Sequence, residues 1–167
     1  MKRKAKRFAE KAHKGQYRKF EGVPFVEHPK AVAALVKSVT GATREMITAA
    51  LLHDTVEDTS ATLSDIRNRF GDRVANFVKE LTTDKEKRDE FGKAKYLGLK
   101  MAGMSDKALT IKLCDRYHNV RKIEETPEDF RTRYSRETRE TLSILFANRK
   151  LNDTQKRIAN KIIEKVS

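Results

Sequence analysis

Apolar residues recur along this chain at the three-to-four-residue interval of an α-helix and nowhere alternate over the length a strand would need. After Pro29, the residues Val32, Leu35, Val36 and Val39 fall at i, i+3, i+4 and i+7 and predict one amphipathic helix, ended by Gly41. Thr43 is placed to cap the next helix, whose apolar face carries Ile47, Ala50 and Leu51. Thr62 with Asp65 reads as a capping box ahead of Ile66 and Phe70, and Gly71 as the stop. Asp72 then opens a helix carrying Val74, Phe77, Val78 and Leu81. From Asp84 to Lys95 charge is dense and large apolar residues are scarce, which predicts a surface loop running into a helix. Ser105 is set to cap a helix containing Ala108, Ile111 and Asp115. Thr126 before Pro127 is a start signal, with proline at the first helical position and Asp129 completing the box. The last helix begins near Asn152 and buries Ile158, Ile162 and Val166. With no repeat, no Gly/Ser-rich linker and no strand, the expected fold is all-α, a single compact helical domain over residues 1–167.

Composition narrows the partners more than the fold. The 167 residues are 38% hydrophobic and 37% charged, enough for one domain with a real core, and seven Gly and three Pro are few for an all-β chain. Lys and Arg number 37 against 24 Asp and Glu, a formal net charge of +13. Such a surface attracts phosphate, whether on nucleic acid, an anionic membrane or a multiply charged small ligand, although solvated Lys-rich helix faces account for much of it. The single Cys114 excludes an intramolecular disulfide and a cysteine-rich zinc cluster. No apolar run approaches a membrane span. The basic stretch Met1–Arg7 leads into Phe8, Ala9, Glu10 and Lys11 rather than a signal peptide's apolar segment, so a cytoplasmic location is expected.

The candidate chemistry lies in three segments. Ala49-Ala50-Leu51-Leu52-His53-Asp54-Thr55-Val56-Glu57-Asp58 puts an adjacent His and Asp at the end of an apolar run. If the helix continues, Asp54, Glu57 and Asp58 share one face and repel one another unless a cation or a proton intervenes. Lys112 through Asn119 sets Asp115 and Asn119 four apart on one side of a helix, and His28 precedes Pro29 in Pro24-Phe25-Val26-Glu27-His28-Pro29. Singly, each has a plain structural explanation: a surface His-Asp pair, a capping histidine, an aspartate paired with Arg116 or Arg121. Together, two imidazoles and two carboxylates make a mixed N/O set suited to one first-row divalent metal, whose bound water would be a nucleophile near neutral pH.

At these residues the chain resembles the hydrolase domain of the RelA/SpoT homologues, within the HD superfamily, and especially the stand-alone small alarmone hydrolases. The resemblance covers roughly residues 5–125, with helices at 126–167 beyond it. It is carried by Ala12-His13-Lys14-Gly15-Gln16-Tyr17-Arg18-Lys19, Gly22 through Pro29, the His53-Asp54 segment and Lys112 through Asn119. It implies an HD-type fold with a mononuclear site and removal of the 3′-pyrophosphate from guanosine tetra- or pentaphosphate by attack of metal-bound water, usually with one Mn²⁺. It implies His28, His53, Asp54 and Asp115 as metal ligands, and Glu57 and Asp58 as the acidic pair that positions and deprotonates the water. Arg18 would flank the guanine, Lys19 would lie near the phosphates, and Asn119 would hold the ribose-phosphate. His13 is expected to order the first loop, and His118 to be peripheral.

Two rival readings remain at this level. One is an HD phosphohydrolase acting on another nucleotide: a deoxynucleotide, a cyclic nucleotide or the 2′-phosphate of NADPH. The other is a basic nucleic-acid-binding module with a vestigial HD site, drawing on Lys2, Arg3, Lys4, Lys6 and Arg7 and on Lys156, Arg157, Lys161 and Lys165. Even in the enzyme reading, nonspecific nucleic-acid contact through the basic surface is expected. With the chain ending at Ser167, no synthetase or regulatory domain is expected.

Overall fold

The computed structural model describes every residue from Met1 to Ser167. It contains eleven α-helices, one short 3-10 turn and no strand; the sole pairing of extended backbone is an isolated bridge between Tyr17 and Pro24. The helices gather into two compact units, Met1–Thr82 and Thr83–Ser167. No helix is long and apolar enough to cross a membrane.

The first unit holds α1 (Lys2–Ala12), α2 (Glu27–Lys37), α3 (Arg44–Leu52), α4 (Thr55–Asp58), α5 (Leu63–Phe70) and α6 (Asp72–Leu81). Helix α3 is its centre, packed against α1, α2 and α6. Its last five residues explain this: Thr48, Ala49, Ala50, Leu51 and Leu52 are all buried, so no face is left for water. Helix α1 contributes only Ala5 and Ala9 to the core, side chains small enough to let two backbones approach closely. The expected caps form. The Thr43 hydroxyl accepts from the Met46 amide, and Thr62 and Asp65 exchange both bonds of a capping box. Gly71 joins α5 to α6 at φ +89°, a conformation that a β-carbon would strain.

The second unit holds α7 (Lys85–Phe91), α8 (Lys93–Ala102), α9 (Asp106–Val120), α10 (Glu128–Asn148) and α11 (Asp153–Val166), with the 3-10 turn at Ile123–Glu125. Helix α9 is buried on most sides, α11 lies on it, and α8 pairs with α10. Asn152 and Gln155 complete a capping box at the start of α11.

Three local expectations are corrected. The charged stretch from Asp84 is helical: Asp84 caps α7 by accepting from the Lys87 amide, and the helix buries no residue, so it carries no apolar periodicity to read. Helix α10 begins one residue later than expected. Pro127 is extended at ψ 143°, Thr126 turns its hydroxyl back to the Ile123 carbonyl, and Asp129 completes no box. On α3, Ala50 and Leu51 are buried as expected, but Met46 is buried in place of Ile47, which is only half-buried.

The α8–α10 pair is tightest at Gly98. A β-carbon there would lie 2.7 Å from Ile144 Cβ and 2.9 Å from the Thr141 carbonyl oxygen. Alanine in a helix interior is ordinarily worth ~1 kcal/mol over glycine, but a clash with backbone and a β-branched side chain outweighs that. Gly98→Ala should therefore destabilise the protein by about 1–3 kcal/mol in urea unfolding; a gain in stability would mean that α8 and α10 separate freely.

Candidate active site

Helix α3 stops at Leu52, and the chain resumes as the single turn α4 after His53 and Asp54. The helix is thus interrupted where continuation would have set Asp54, Glu57 and Asp58 on one face, yet the Asp58 amide still donates to the Asp54 carbonyl at 2.9 Å, so these two residues stay one turn apart. The burial of Leu51 and Leu52 carries His53 inward with them, leaving it 2% exposed.

His53 Nδ1 lies 2.8 Å from the Ala50 carbonyl oxygen. A carbonyl only accepts, so Nδ1 carries the proton and Nε2 presents its lone pair. Facing it, 3.3 Å away, is Nε2 of His28, held in the first turn of α2 and buried. Asp54 Oδ2 closes the triangle, 3.1 Å from His53 Nε2 and 3.5 Å from His28 Nε2. Two inward-turned imidazole nitrogens and a carboxylate oxygen form a donor set that one divalent cation would satisfy; with no cation, a proton must separate the lone pairs. The residues present therefore fit a metal ion. Glu57 is half-buried and Asp58 exposed on the turn that follows.

The loop from His13 to Val26 is fastened to this turn. His13 Nδ1 contacts Gln16 Oε1 at 2.8 Å, and Gln16 Nε2 donates to the Asp58 carbonyl at 2.9 Å. The His13 ring, itself buried, lies 4.8 Å from the Phe25 ring, which meets His28 edge-on at 6.0 Å. Further out, the Arg18 amide donates to the Val23 carbonyl and the Gly22 amide to the Arg18 carbonyl, with Gly22 at φ +66° making the reversal. Arg18 reaches Glu21 at 3.3 Å, and the Lys19 ammonium lies 5.3 Å from the Phe20 ring centre.

In the second unit Asp115 is 5% exposed on α9. Its oxygens accept from Lys112 Nζ at 2.8 Å and Asn119 Nδ2 at 2.9 Å. Next to it, Arg116 is buried and donates to the Tyr134 hydroxyl at 2.9 Å, with Glu137 at 3.7 Å. Burial opposes the guanidinium's charge, but Tyr134, Asp115 and Glu137 together hold its pKa above the usual value. His118, on the same helix, is also buried.

The structure thus brings His28, His53 and Asp54 together and puts Glu57 and Asp58 on the adjoining turn. Arg18 and Lys19 stand on the fastened loop, and Asp115 and Asn119 are bonded to each other. Sequence reasoning gave no role to Gln16 or Lys112. The i, i+3 spacing of Lys112 and Asp115 was a usable signal, whereas nothing local links Gln16 to a residue 42 positions later.

Residues 5–150 match the family model described as HD domain, a span that includes parts of both units. The guanosine-3′,5′-bis(diphosphate) 3′-pyrophosphohydrolase MESH1 of Xenopus tropicalis is 39% identical over 133 residues, 74% of this chain and 70% of that protein. The bifunctional (p)ppGpp synthase/hydrolase SpoT of Escherichia coli K12 is 38% identical over 148 residues, covering 86% of this chain. The chain spans only 21% of that protein's length, and a similarly small share of several other curated relatives. Among solved structures, a metazoan orthologue of SpoT that hydrolyses ppGpp superposes with a TM-score of 0.82 at 26% identity, over 98% of this chain and 94% of the other.

Burial, and then the neighbouring Asp115 charge, push the Cys114 thiol pKa up to about 12. The folded protein should therefore resist iodoacetamide at pH 8 and take up one equivalent only after denaturation. Mass spectrometry reads the outcome, and rapid native labelling would show that α9 opens.

Proposed function

The chain belongs to the HD domain family, and on that premise we propose that it is a metal-dependent pyrophosphohydrolase that removes the 3′-pyrophosphate from guanosine tetra- and pentaphosphate. The observation that carries this reading is the meeting of His28 Nε2, His53 Nε2 and Asp54 Oδ2. The MESH1 and SpoT relatives, a guanosine-3′,5′-bis(diphosphate) 3′-pyrophosphohydrolase and a (p)ppGpp synthase/hydrolase, support the choice of substrate. The proposal takes residues 1–167 as one phosphohydrolase domain in a cytoplasmic setting.

His28, His53, Asp54 and Asp115 are assigned as ligands. One divalent ion, for which manganese is the choice, would neutralise phosphoryl oxygens and make a water acidic enough to lose its proton near neutral pH. Glu57 and Asp58 are assigned to orient that water and accept its proton, a role served by carboxylates within hydrogen-bonding reach of the nucleophile. Arg18 offers a planar guanidinium to the guanine and Lys19 a compact charge to the phosphates. The Arg18–Glu21 pair is partly open to solvent, so exchanging Glu21 for substrate costs little. Asn119 is assigned to the ribose-phosphate. Lys112, already on Asp115, offsets the carboxylate's negative charge.

Purified protein given guanosine tetraphosphate and Mn²⁺ should release guanosine diphosphate and pyrophosphate. Asp54→Ala should lower the rate by more than the ~100-fold that loss of a supporting outer residue brings. Glu57→Gln or Asp58→Asn should lower kcat by about 100-fold or more with metal affinity, measured calorimetrically, kept. Undiminished turnover by Asp54→Ala would overturn the site. No release by folded, metal-loaded protein, with turnover of a deoxynucleotide, a cyclic nucleotide or NADPH instead, would overturn the substrate.

A further inference from the structure

Helix α1 carries chemistry that the hydrolase reading leaves unused. Six of its eleven residues are Lys or Arg, and its buried face is only Ala5 and Ala9. Between α1 and the end of α5 lies an open groove of about 570 Å³, walled by Lys4, Arg7, Lys11 and Arg69 and floored by Phe8 and Phe70. None of these residues belongs to the assigned metal or substrate set.

The four cations take part in no ion pair, whereas the one acidic residue of α1, Glu10, is taken up by Lys6 and Lys30. Arg69 interacts coulombically with Asp65, one turn earlier on α5, without forming an ion pair. No carboxylate lines the groove. Lys4, Phe8 and Lys11 fall at i, i+4 and i+7 with Arg7 beside them, so the charges form a row about 10 Å long at 1.5 Å per residue. That is a track rather than a nest for one phosphate. Phe8 is half-buried, braced edge-on by Phe70 at 5.7 Å, and the Arg69 guanidinium lies 5.5 Å from its ring centre. The basic surface continues along α1 into a second cleft of about 350 Å³, lined by Lys2, Arg3 and Arg44.

A row of cations that form no ion pair, with an aromatic set among them, is the composition that tracks a nucleic-acid strand, the cations on its phosphates and the ring against a base. We propose that the α1–α5 groove is a binding site for single-stranded nucleic acid, held by Lys4, Arg7, Lys11 and Arg69 with Phe8 as the stacking surface. This locates on one face what net charge alone leaves spread over the whole molecule.

The test is fluorescence anisotropy of a labelled single-stranded oligonucleotide with the full-length protein. Four phosphate contacts imply a log–log salt slope near −3, or about 50-fold weaker binding at 200 mM than at 50 mM salt. Arg7→Glu with Lys11→Glu should weaken binding at least tenfold, and Phe8→Leu several-fold at an unchanged salt slope. Lys156→Glu with Arg157→Glu on α11 changes net charge equally and should have little effect. Alarmone hydrolysis and the circular dichroism spectrum should be the same in all of them. Equal weakening by the α11 pair would overturn the site in favour of bulk charge, and so would the absence of binding at 50 mM salt. Tighter binding of a duplex, displacement by stoichiometric triphosphate, or α1-dependent binding to anionic vesicles with none to the oligonucleotide would each assign the groove to a different ligand.

Discussion

The hydrogen bond between His53 Nδ1 and the Ala50 carbonyl governs what the first unit can do chemically. An imidazole at the end of a buried helix has two nitrogens to satisfy. By giving its proton to the helix's own last turn, His53 leaves Nε2 as a lone pair aimed at His28 and Asp54. The geometry depends on α3 ending where it does. One more helical residue would continue the Leu51–Leu52 spiral, and the single turn of α4 would not begin with Asp54 at its cap. The buried alanines and leucines are therefore what set the histidine's depth and tautomer.

The second unit solves a related problem differently. Asp115 and Arg116 are adjacent, both buried and of opposite charge, and each is stabilised by its own neighbours: Lys112 and Asn119 for the carboxylate, Tyr134 and Glu137 for the guanidinium. Burying a charge is tolerable only with such partners. Every one of them lies on α9 or α10, so the spacing along two helices specifies the network.

Legibility followed the physics of each signal. Thr43, Thr62 and Ser105 were readable because a cap is a local exchange between a side chain and an amide three residues on, and Gly71 because glycine takes the positive φ that ends a helix. The apolar stripes were readable because they face a core. Helix α7 was not, since a helix that buries nothing leaves no period, and at Pro127 the hydroxyl of Thr126 turned backwards rather than forwards. The His28–His53–Asp54 donors were legible as residue types, and the motif supplied their grouping. The Gln16 bond to Asp58 and the Arg116–Tyr134 bond were not legible, because each joins positions whose proximity only tertiary packing creates.

The Gln16 strap joins two neutral partners, a carboxamide and a peptide carbonyl. Mobile ions do not screen such a dipolar bond as they screen exposed charge pairs. The loop bearing Arg18 and Lys19 is consequently anchored with the same tension in dilute buffer and in brine, while the lysines and arginines of α1 respond to every change of ionic strength. One small unit thereby holds a loop whose fastening is insensitive to ionic strength beside a surface whose attraction is set by it.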